Sequence, residues 1–270
     1  MLETLVALAI EAGDVILGIY GRADLGERAK ADGSPVTEAD AAAEAVILRG
    51  LAEHWPDIPV IAEEAVSAGL IPDIARRFFL VDPLDGTAEF VRRSGEFTVN
   101  IGLVEDGRPV VGVIYLPTTG EVFRGDAGGA ARALRVGGVV SAWTPIHARP
   151  APQAGLTVIA SRRSVGTRTL AYLERMPVRE TVRASSSLKL CRLAEGVADL
   201  YPRFGPTSAW DIAAGDAILR AAGGMVRTLD GSPLTYEPDR VPGAGRFTNP
   251  DFVASGAFDP MKLETGGAAS

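Results

Sequence analysis

The pattern of apolar and polar positions predicts two helices at the start of the chain. Apolar residues recur with helical spacing over residues 2–20, but acidic residues interrupt this segment, so it does not predict a membrane span. A second helix is predicted over residues 37–52. Thr37 precedes Asp40 by three positions, the spacing of a capping box, in which each side chain accepts from the other residue's backbone N–H. We therefore expect Thr37 and Asp40 at a helix start.

Short apolar runs then predict several strands. They have the length of buried strands, and the polar residues 105–108 between two of them are typical of a hairpin turn. The predicted strands lie at residues 58–62, 78–81, 97–104, 109–116 and 121–124. The first half of the chain is therefore predicted to mix α and β structure.

The second half alternates strands and helices after an irregular, glycine- and proline-containing segment at residues 137–152. Strands are predicted at residues 156–160, 178–182 and 198–201, and helices at residues 167–175, 186–196 and from about 208 to 222. This alternation is typical of a layered α/β unit. We predict an N-terminal α+β half over residues 1–145, a C-terminal α/β half over residues 146–264 and a flexible tail over residues 265–270.

Composition restricts the class of protein. The chain has 270 residues, of which 47% are hydrophobic, and it is long enough to bury a substantial core. Its net charge of −7 offers no overall positive field for binding a nucleic-acid polymer. The N-terminus lacks the basic region of a signal peptide, and one cysteine cannot form an internal disulfide. These features predict a cytoplasmic protein; they leave open a homodimer and peripheral membrane association.

Pairs of carboxylates follow two of the predicted strands. Glu63 and Glu64 come directly after the first strand and before a predicted turn of small residues, and Asp82 and Asp85 flank Pro83 at the carboxyl end of the second. Asp and Pro also favour ordinary turns, so the second pair alone does not establish a site. Glu63 and Glu64 are adjacent, and adjacent acids repel each other unless a positive group lies near them. The presence of this pair therefore favours cation binding over an ordinary turn.

Asp211 adds a carboxylate from the second half of the chain. It opens an alanine-rich predicted helix, and by itself it is explained as a helix-start residue that interacts with the helix dipole. Together with Glu63, Asp82 and Asp85 it supplies oxygen ligands from three separate segments. Mg²⁺ suits such a set because it is usually held by a few carboxylates, water and substrate phosphate.

Other common catalytic centres are poorly supported. Zinc sites need cysteine or histidine ligands at defined spacing, and the chain has one cysteine and two histidines. Cys191 lies within an apolar helical rhythm and is predicted to be a core residue. His54 near a helix end and His147 in a proline-bracketed loop are predicted to lie at the surface, which disfavours a Ser-His-Asp mechanism.

Three motifs resemble the signatures of the inositol monophosphatase superfamily, in the order and spacing of that family: IAEE (residues 61–64), VDPLDGT (81–87) and SAWD (208–211). The resemblance extends over roughly residues 33–224. Three further segments are similar to the CysQ branch of 3′(2′),5′-bisphosphate nucleotidases: GEFTVNI (95–101), SSSLKLC (185–191) and LYPRFGPT (200–207). The resemblance implies a layered αβαβα sandwich. It also implies a Mg²⁺-dependent phosphomonoesterase that converts adenosine 3′,5′-bisphosphate to AMP and phosphate in sulfur metabolism.

The resemblance also implies the metal ligands. Glu63, Asp82 and the backbone carbonyl of Leu84 would hold one Mg²⁺, and Asp82, Asp85 and Asp211 would hold a second. Pro83 fixes φ and so helps to direct these ligands at one point. Glu64 would bind a metal through water or support a third, weaker ion. Inhibition by Li⁺ is expected on the same basis.

The implied chemistry is attack of a metal-activated water on the phosphate. Glu63 and Thr87 would orient and deprotonate the water, with Asp40 accepting the Thr87 hydroxyl proton. The backbone N–H groups of Gly86 and Thr87 would hold the phosphate if these residues open a helix. Water near Asp211 would protonate the departing 3′-oxygen.

The resemblance implies that Ser186, Lys189 and Arg203 determine substrate choice by facing the nucleotide. Lys189 and Arg203 would hold its 5′-phosphate. Ser186 and Lys189 are one helical turn apart and would point the same way. Ala88 departs from the CysQ pattern, which commonly has lysine there. This departure leaves room for an inositol or other sugar-phosphate phosphatase, and a catalytically silent metal- and nucleotide-binding protein is a further alternative.

Overall fold

The computed structural model describes residues 1–30, 33–162, 165–239, 241 and 243–263. Its helices are α1 (Leu2–Tyr20), α2 (Glu38–His54), α3 (Glu63–Ser67), α4 (Thr87–Val91), α5 (Thr167–Leu173), α6 (Leu188–Ala194) and α7 (Ala209–Ala221), followed by a 3₁₀ turn at Pro260–Lys262. Its strands are β1 (Arg28–Ala29), β2 (Pro35–Val36), β3 (Val60–Ala62), β4 (Arg77–Asp85), β5 (Thr98–Glu105), β6 (Arg108–Leu116), β7 (Glu121–Asp126), β8 (Gly129–Val136), β9 (Val139–Val140), β10 (Thr144–Ile146), β11 (Leu156–Ser161), β12 (Val178–Ala184), β13 (Leu200–Arg203), β14 (Met225–Thr228) and β15 (Phe252–Ser255).

Two large sheets and three helical layers make up the described part of the fold, and β1 and β2 pair as a separate two-stranded sheet. The first sheet has the order β10-β8-β7-β6-β5-β4-β3, with β9 paired to β8, and only β3 and β4 run parallel. The second has the order β12-β11-β13-β15-β14. Helices α1 and α2 cover the outer face of the first sheet, α6 and α7 lie between the sheets, and α5 packs beyond the second. The predicted αβαβα sandwich is confirmed.

A row of three glycines brings α7 close to the first sheet. Gly102, Gly112 and Gly125 are register neighbours on β5, β6 and β7. A Cβ on Gly112 would lie 2.1 Å from the Ala214 carbonyl oxygen, and one on Gly125 would lie 2.7 Å from the Ile218 Cα. Because side chains are absent along this row, the helix backbone packs directly on the strands. This contact sets the position of α7 and of the acid at its start.

Three local predictions about the site segments were wrong. The strand after residue 77 does not end before the acids but continues through them to Asp85, with a register shift between Asp82 and Asp85. Glu63 and Glu64 do not precede a turn but form the first residues of α3. Ser186 lies outside α6 and has a left-handed φ of 52°, so the predicted helical turn from Ser186 to Lys189 does not exist.

Several strands escaped prediction because they are short or carry no clear alternation. Strands β9 and β10 lie within the segment predicted to be irregular, and β8, β14 and β15 were not predicted at all. β10 spans the predicted boundary at residue 145 and belongs to the first sheet; the division into halves stays a prediction. The predicted tail at residues 265–270 lies outside the described residues. Among the described helices, none has the length and apolar character needed to cross a membrane.

Candidate active site

One cavity of about 460 Å³ collects most of the predicted site residues. The predicted residues in its wall are Glu63, Asp85, Gly86, Thr87, Ser186, Lys189, Arg203 and Asp211. Asp40, Asp82 and Leu84 are buried and do not line the cavity. Acids from β4, α3 and α7 therefore meet cations from α6 and β13 at one place, although these elements are far apart in the chain.

Asp82 is the most enclosed acid of the site. It lies on β4 with 1% of its surface exposed, and its Oδ1 accepts from the Leu84 N–H at 3.0 Å. Burial, together with the negative charges of Glu63, Asp85 and Asp211, raises the pKa of Asp82 well above its ordinary value. The site is thus a set of hard oxygen donors, and a divalent cation would relieve the repulsion that disfavours ionisation of Asp82.

The four acids are held by protein donors. Glu63 contacts Lys30, Asp85 accepts from Ser187, and Asp211 Oδ2 accepts from the Ser208 N–H at 2.8 Å in a capping box. As these side chains stand, no three carboxylate, histidine or cysteine groups in the described part of the chain are arranged to hold a metal ion. The donor chemistry fits Mg²⁺, and the ligand set of Glu63, Asp82, Leu84, Asp85 and Asp211 stays a prediction.

Asp40 combines two functions that the sequence allowed. Its Oδ2 accepts from the Thr37 N–H at 2.7 Å and the Thr37 hydroxyl at 2.8 Å, so the predicted capping box is confirmed. Its Oδ1 accepts from the Thr87 hydroxyl at 2.9 Å. Burial raises the pKa of Asp40, and these donors oppose the shift. The Leu84 carbonyl lies farther from the Thr87 hydroxyl, at 3.2 Å. The shorter contact with the charged carboxylate directs the hydroxyl proton at Asp40, which leaves the oxygen lone pairs of Thr87 to accept from another group.

A lysine that the sequence analysis did not single out contacts the paired glutamates. Lys30 Nζ lies 2.6 Å from Oε1 of both Glu63 and Glu64, and 12% of its side chain is exposed. Glu44 accepts from the N–H groups of Glu64 and Ala65, each at 2.8 Å, and so caps the start of α3. Burial raises the pKa of Glu64 to about 7, although Lys30 favours its ionised form. Lys30 thus supplies the positive charge that adjacent acids require.

We expect Lys30→Met to bind Mg²⁺ more tightly than the wild type. The ammonium and a divalent cation compete for the same Glu63 oxygens, so removing one favours the other. A tenfold lower Kd would correspond to about 1.4 kcal/mol of additional stabilisation by saturating Mg²⁺. Calorimetric titration and thermal melts with and without Mg²⁺ measure this effect. Lys30→Arg, which keeps the charge, and Lys262→Met are the controls; unchanged or weaker Mg²⁺ binding in Lys30→Met would show that the two cations do not compete.

The segment before α6 brings Ser186 and Lys189 together in an unexpected way. Lys189 Nζ donates to the Ser186 carbonyl at 2.7 Å and lies 5.4 Å from the centre of the Tyr201 ring. The Ser186 hydroxyl donates to the Asp85 carbonyl at 2.9 Å. Gly86 has φ 94°, and a Cβ there would lie 2.4 Å from the Ser186 Oγ. Glycine at this position allows the Ser186 segment to pack onto the acidic strand.

The two cations of the second half face the same cavity. Lys189 is 7% exposed, and its burial lowers the pKa of its ammonium to about 8. Arg203 donates to the Pro206 carbonyl at 3.0 Å, while its buried Nε has no hydrogen-bond partner among the described residues. Ala88 lines this cavity and also an adjoining one that contains Arg28 and Arg92. The resemblance predicts a lysine at position 88. Here that position is an alanine, and the arginines of the adjoining cavity lie near it.

The residues set aside as structural lie where they were expected. Cys191 is fully buried in the core between the sheets. His54 and His147 are exposed, and neither lines the cavity. Lys30 and Glu44 were missed because each acts on residues far from it in the chain, and Ser187 and Asn100 were missed although both lie in segments that carried the resemblance.

Comparison with known proteins places the chain in a family. The model of the inositol monophosphatase family matches residues 1–255. The chain belongs to this family. It is 45% identical to the 3′(2′),5′-bisphosphate nucleotidase CysQ of Salmonella typhimurium over 93% of this chain and 98% of that protein. It is 42% identical to the protein of that name from Escherichia coli K12, over 94% and 99% of the two chains.

Solved structures agree with this assignment. The crystal structure of CysQ from Bacteroides thetaiotaomicron has a TM-score of 0.77 and 34% identity, covering 95% of this chain and 97% of that one. The inositol monophosphatase from Anabaena has a TM-score of 0.72 and 28% identity, covering 97% and 92%. The resemblance to the superfamily and to its CysQ branch is confirmed.

Proposed function

We propose that this protein is a Mg²⁺-dependent 3′(2′),5′-bisphosphate nucleotidase that hydrolyses the 3′-phosphate of adenosine 3′,5′-bisphosphate to give AMP and phosphate. The observation that carries this proposal is the shared cavity, in which acids of the first half face Lys189 and Arg203 of the second. The acids suit a cation-assisted phosphate reaction, and the two cations suit a second anionic group. The names of the CysQ relatives support the same substrate.

Glu63, Asp82, the Leu84 carbonyl, Asp85 and Asp211 would hold Mg²⁺, with Asp82 shared and Glu64 available for a weaker ion. When bound, Mg²⁺ acidifies water and neutralises phosphate charge. Li⁺ inhibition is expected for the same ligand set.

Thr87 and Glu63 prepare the attacking water. The Thr87 hydroxyl donates its proton to Asp40 at 2.9 Å, so its oxygen accepts from the water and fixes its orientation. Glu63 takes the water proton. Burial raises the pKa of Glu63, so it is a better base than an exposed glutamate. Asp40 acts through Thr87 and does not touch the substrate.

The start of α4 and the region of Asp211 bind the reacting ester. Gly86 and Thr87 begin this short helix, as predicted, and their N–H groups would hold the phosphate oxygens. Water beside Asp211 would protonate the 3′-oxygen as it departs. Lys189, Arg203 and Ser186 would hold the 5′-phosphate, which is not hydrolysed.

A panel of phosphate esters tests the proposal. With Mg²⁺ present, we expect kcat/KM for adenosine 3′,5′-bisphosphate to exceed that for inositol 1-phosphate by about 100-fold or more, since the 5′-phosphate adds charge-assisted contacts worth about 3 kcal/mol. The same panel without Mg²⁺ should release no phosphate. A higher kcat/KM for the inositol ester would favour the sugar-phosphate alternative, for which Ala88 leaves room. Binding of Mg²⁺ and nucleotide without release of phosphate from any ester would favour the silent protein.

We propose that the protein acts in the cytoplasm. Cys191 is buried and its pKa is raised by burial, so it is an inert core thiol compatible with a reducing compartment. A homodimer stays a prediction.

A further inference from the structure

Three consecutive serines before α6 contact two segments of the opposite half of the chain, the acidic strand β4 and the loop between α4 and β5. The Ser185 N–H donates to the Glu96 carboxylate at 3.0 Å, and the Ser186 hydroxyl donates to the Asp85 carbonyl. The Ser187 side chain and N–H both contact the Asp85 carboxylate. This segment therefore spans from the predicted metal ligands to the lysine that follows it on α6.

Ser187 holds one oxygen of Asp85 in place. Its N–H donates to Asp85 Oδ2 at 2.6 Å, and its hydroxyl lies 2.8 Å from the same oxygen. The amide of Asn100 approaches this oxygen at 3.5 Å. Because these contacts all meet Oδ2, they direct Oδ1 away from Ser187, where it is available to a cation.

The environment of the Ser187 hydroxyl favours its hydrogen bond to Asp85 Oδ2. The hydroxyl is buried, with 3% of the residue exposed, and lies 2.7 Å from Asn100 Oδ1 and 2.9 Å from the Thr98 hydroxyl. A hydroxyl has one proton, and the charged acceptor binds it more strongly than a neutral amide does. Thr98 can donate to the Ser187 oxygen in turn. The proton of Ser187 is thus available to Asp85.

The same segment holds the substrate-binding lysine. The Ser186 carbonyl accepts from Lys189 Nζ at 2.7 Å. Ser186 has a left-handed backbone, and it packs against Gly86 while its hydroxyl contacts the carbonyls of Asp85 and Glu96. A shift of Ser187 relative to Asp85 would move the carbonyl that holds Lys189. The orientation of a metal ligand and that of an anion-binding ammonium therefore depend on one short segment.

We propose that Ser187 is a positioning residue that orients Asp85 for the divalent cation and couples cation binding to binding of the nucleotide by Lys189. This inference rests on the proposed function for the identity of the nucleotide. Coupling of two sites is reciprocal, so Mg²⁺ should strengthen AMP binding by the same factor by which AMP strengthens Mg²⁺ binding. Ser187→Ala removes the hydroxyl contact but keeps the N–H contact.

The test measures binding rather than turnover. The Kd of Mn²⁺, which substitutes for Mg²⁺ at oxygen sites, is measured without nucleotide by electron paramagnetic resonance, and the Kd of AMP is measured by calorimetry with and without Mg²⁺. For Ser187→Ala we expect Mn²⁺ binding to weaken about tenfold, the effect of losing one charge-assisted hydrogen bond. We also expect the strengthening of AMP binding by Mg²⁺ to fall towards no effect.

Thr98→Val is the matched control. It removes a buried hydrogen bond to the same Ser187 oxygen but leaves both Ser187 contacts with Asp85 in place, so its Mn²⁺ affinity should stay within about threefold of the wild type. Equal losses of Mn²⁺ affinity in both variants, or loss of stability in Ser187→Ala with unchanged Mn²⁺ and AMP binding, would overturn the inference. If Ser187→Ala does not fold, Ser187→Cys, which keeps the volume and offers only a weak donor, is judged by the same criteria.

The two proposals fail separately. If the wild-type protein binds Mn²⁺ and AMP cooperatively but releases no phosphate from adenosine 3′,5′-bisphosphate, and Ser187→Ala loses this cooperativity, the proposed function is overturned and the role of Ser187 is supported. Wild-type protein that turns over this substrate while Ser187→Ala retains full coupling would overturn the role of Ser187 alone.

Discussion

Asp82→Asn is expected to lower kcat for adenosine 3′,5′-bisphosphate by more than about 100-fold. Loss of a residue that only orients a metal ligand costs up to about 100-fold, and loss of a ligand itself should cost more. In the proposed ligand set Asp82 is shared by both ions, so its replacement would remove a charge from each. Its 1% exposure leaves no room for water to replace the lost oxygen easily. Phosphate release at saturating Mg²⁺ and substrate measures the effect.

The same substitution should stabilise the metal-free fold. The pKa of Asp82 is raised by burial and by Glu63, Asp85 and Asp211, so its ionised form is disfavoured in the folded state. A neutral asparagine removes that repulsion, and the melting temperature in a chelator should rise while activity is lost. A rise in melting temperature together with a loss of activity would show that the substitution acts on the site and does not damage the fold.

Asp216→Asn is the matched control for Asp82→Asn. Asp216 is fully buried on α7, accepts from Arg220 at 2.7 Å and from the Tyr236 hydroxyl at 2.9 Å, and does not line the cavity. Its replacement should lower the melting temperature but leave kcat close to that of the wild type. Near-normal Mg²⁺-dependent kcat in Asp82→Asn would contradict the shared-ligand arrangement.

Lys189→Met is expected to raise KM for adenosine 3′,5′-bisphosphate by about 10- to 100-fold with a much smaller change in kcat, since hydrogen bonds to charged groups contribute about 1.5–3 kcal/mol. Lys189 is proposed to bind the 5′-phosphate, a part of the substrate that does not react. Adenosine 3′-phosphate, which lacks the 5′-phosphate, is the matched control, and its KM should be nearly the same in both proteins. Equal increases in KM for both substrates would show that Lys189 does not recognise the 5′-phosphate.

The pH dependence of KM gives a second measure of Lys189. Burial lowers the pKa of its ammonium to about 8, so the positive charge is present below this pH and is lost as the pH rises through it. KM for the bisphosphate should therefore rise above about pH 8. Lys189→Arg keeps its charge in this range and should have a flat profile. An inflection that persists in Lys189→Arg would assign the titration to another group.

The hairpin and the helix starts show what local sequence can predict. Asp106 and Gly107 have φ of 49° and 72° in the turn between β5 and β6, which matches the predicted hairpin turn. Thr37 and Asp40 form the predicted capping box. These features depend on residues a few positions apart, so their physics is contained in a short stretch of chain.

The acidic strand shows where local reasoning is insufficient. Asp82, Pro83 and Asp85 have the composition of a turn, yet they continue β4, since pairing with β5 on one side and burial beneath the helices override their turn propensity. Ser186 was likewise assigned to a helix, and its left-handed backbone results from contacts with Gly86 and Asp85 of the other half. Such contacts have no signal in the neighbouring sequence.

The sequence by itself determined the chemistry of the site: the motifs around Glu63, Asp82 and Asp211 indicated the family and a hard-cation phosphate site, because residue type and spacing select ligand chemistry. Only the tertiary structure decided how those residues are held. It placed Lys30 between Glu63 and Glu64 and joined Ser187 to Asp85 across the cavity. The residues in these contacts are separated by between 33 and 102 positions in the sequence. Such pairs are set by how the sheets and α7 pack rather than by any local pattern.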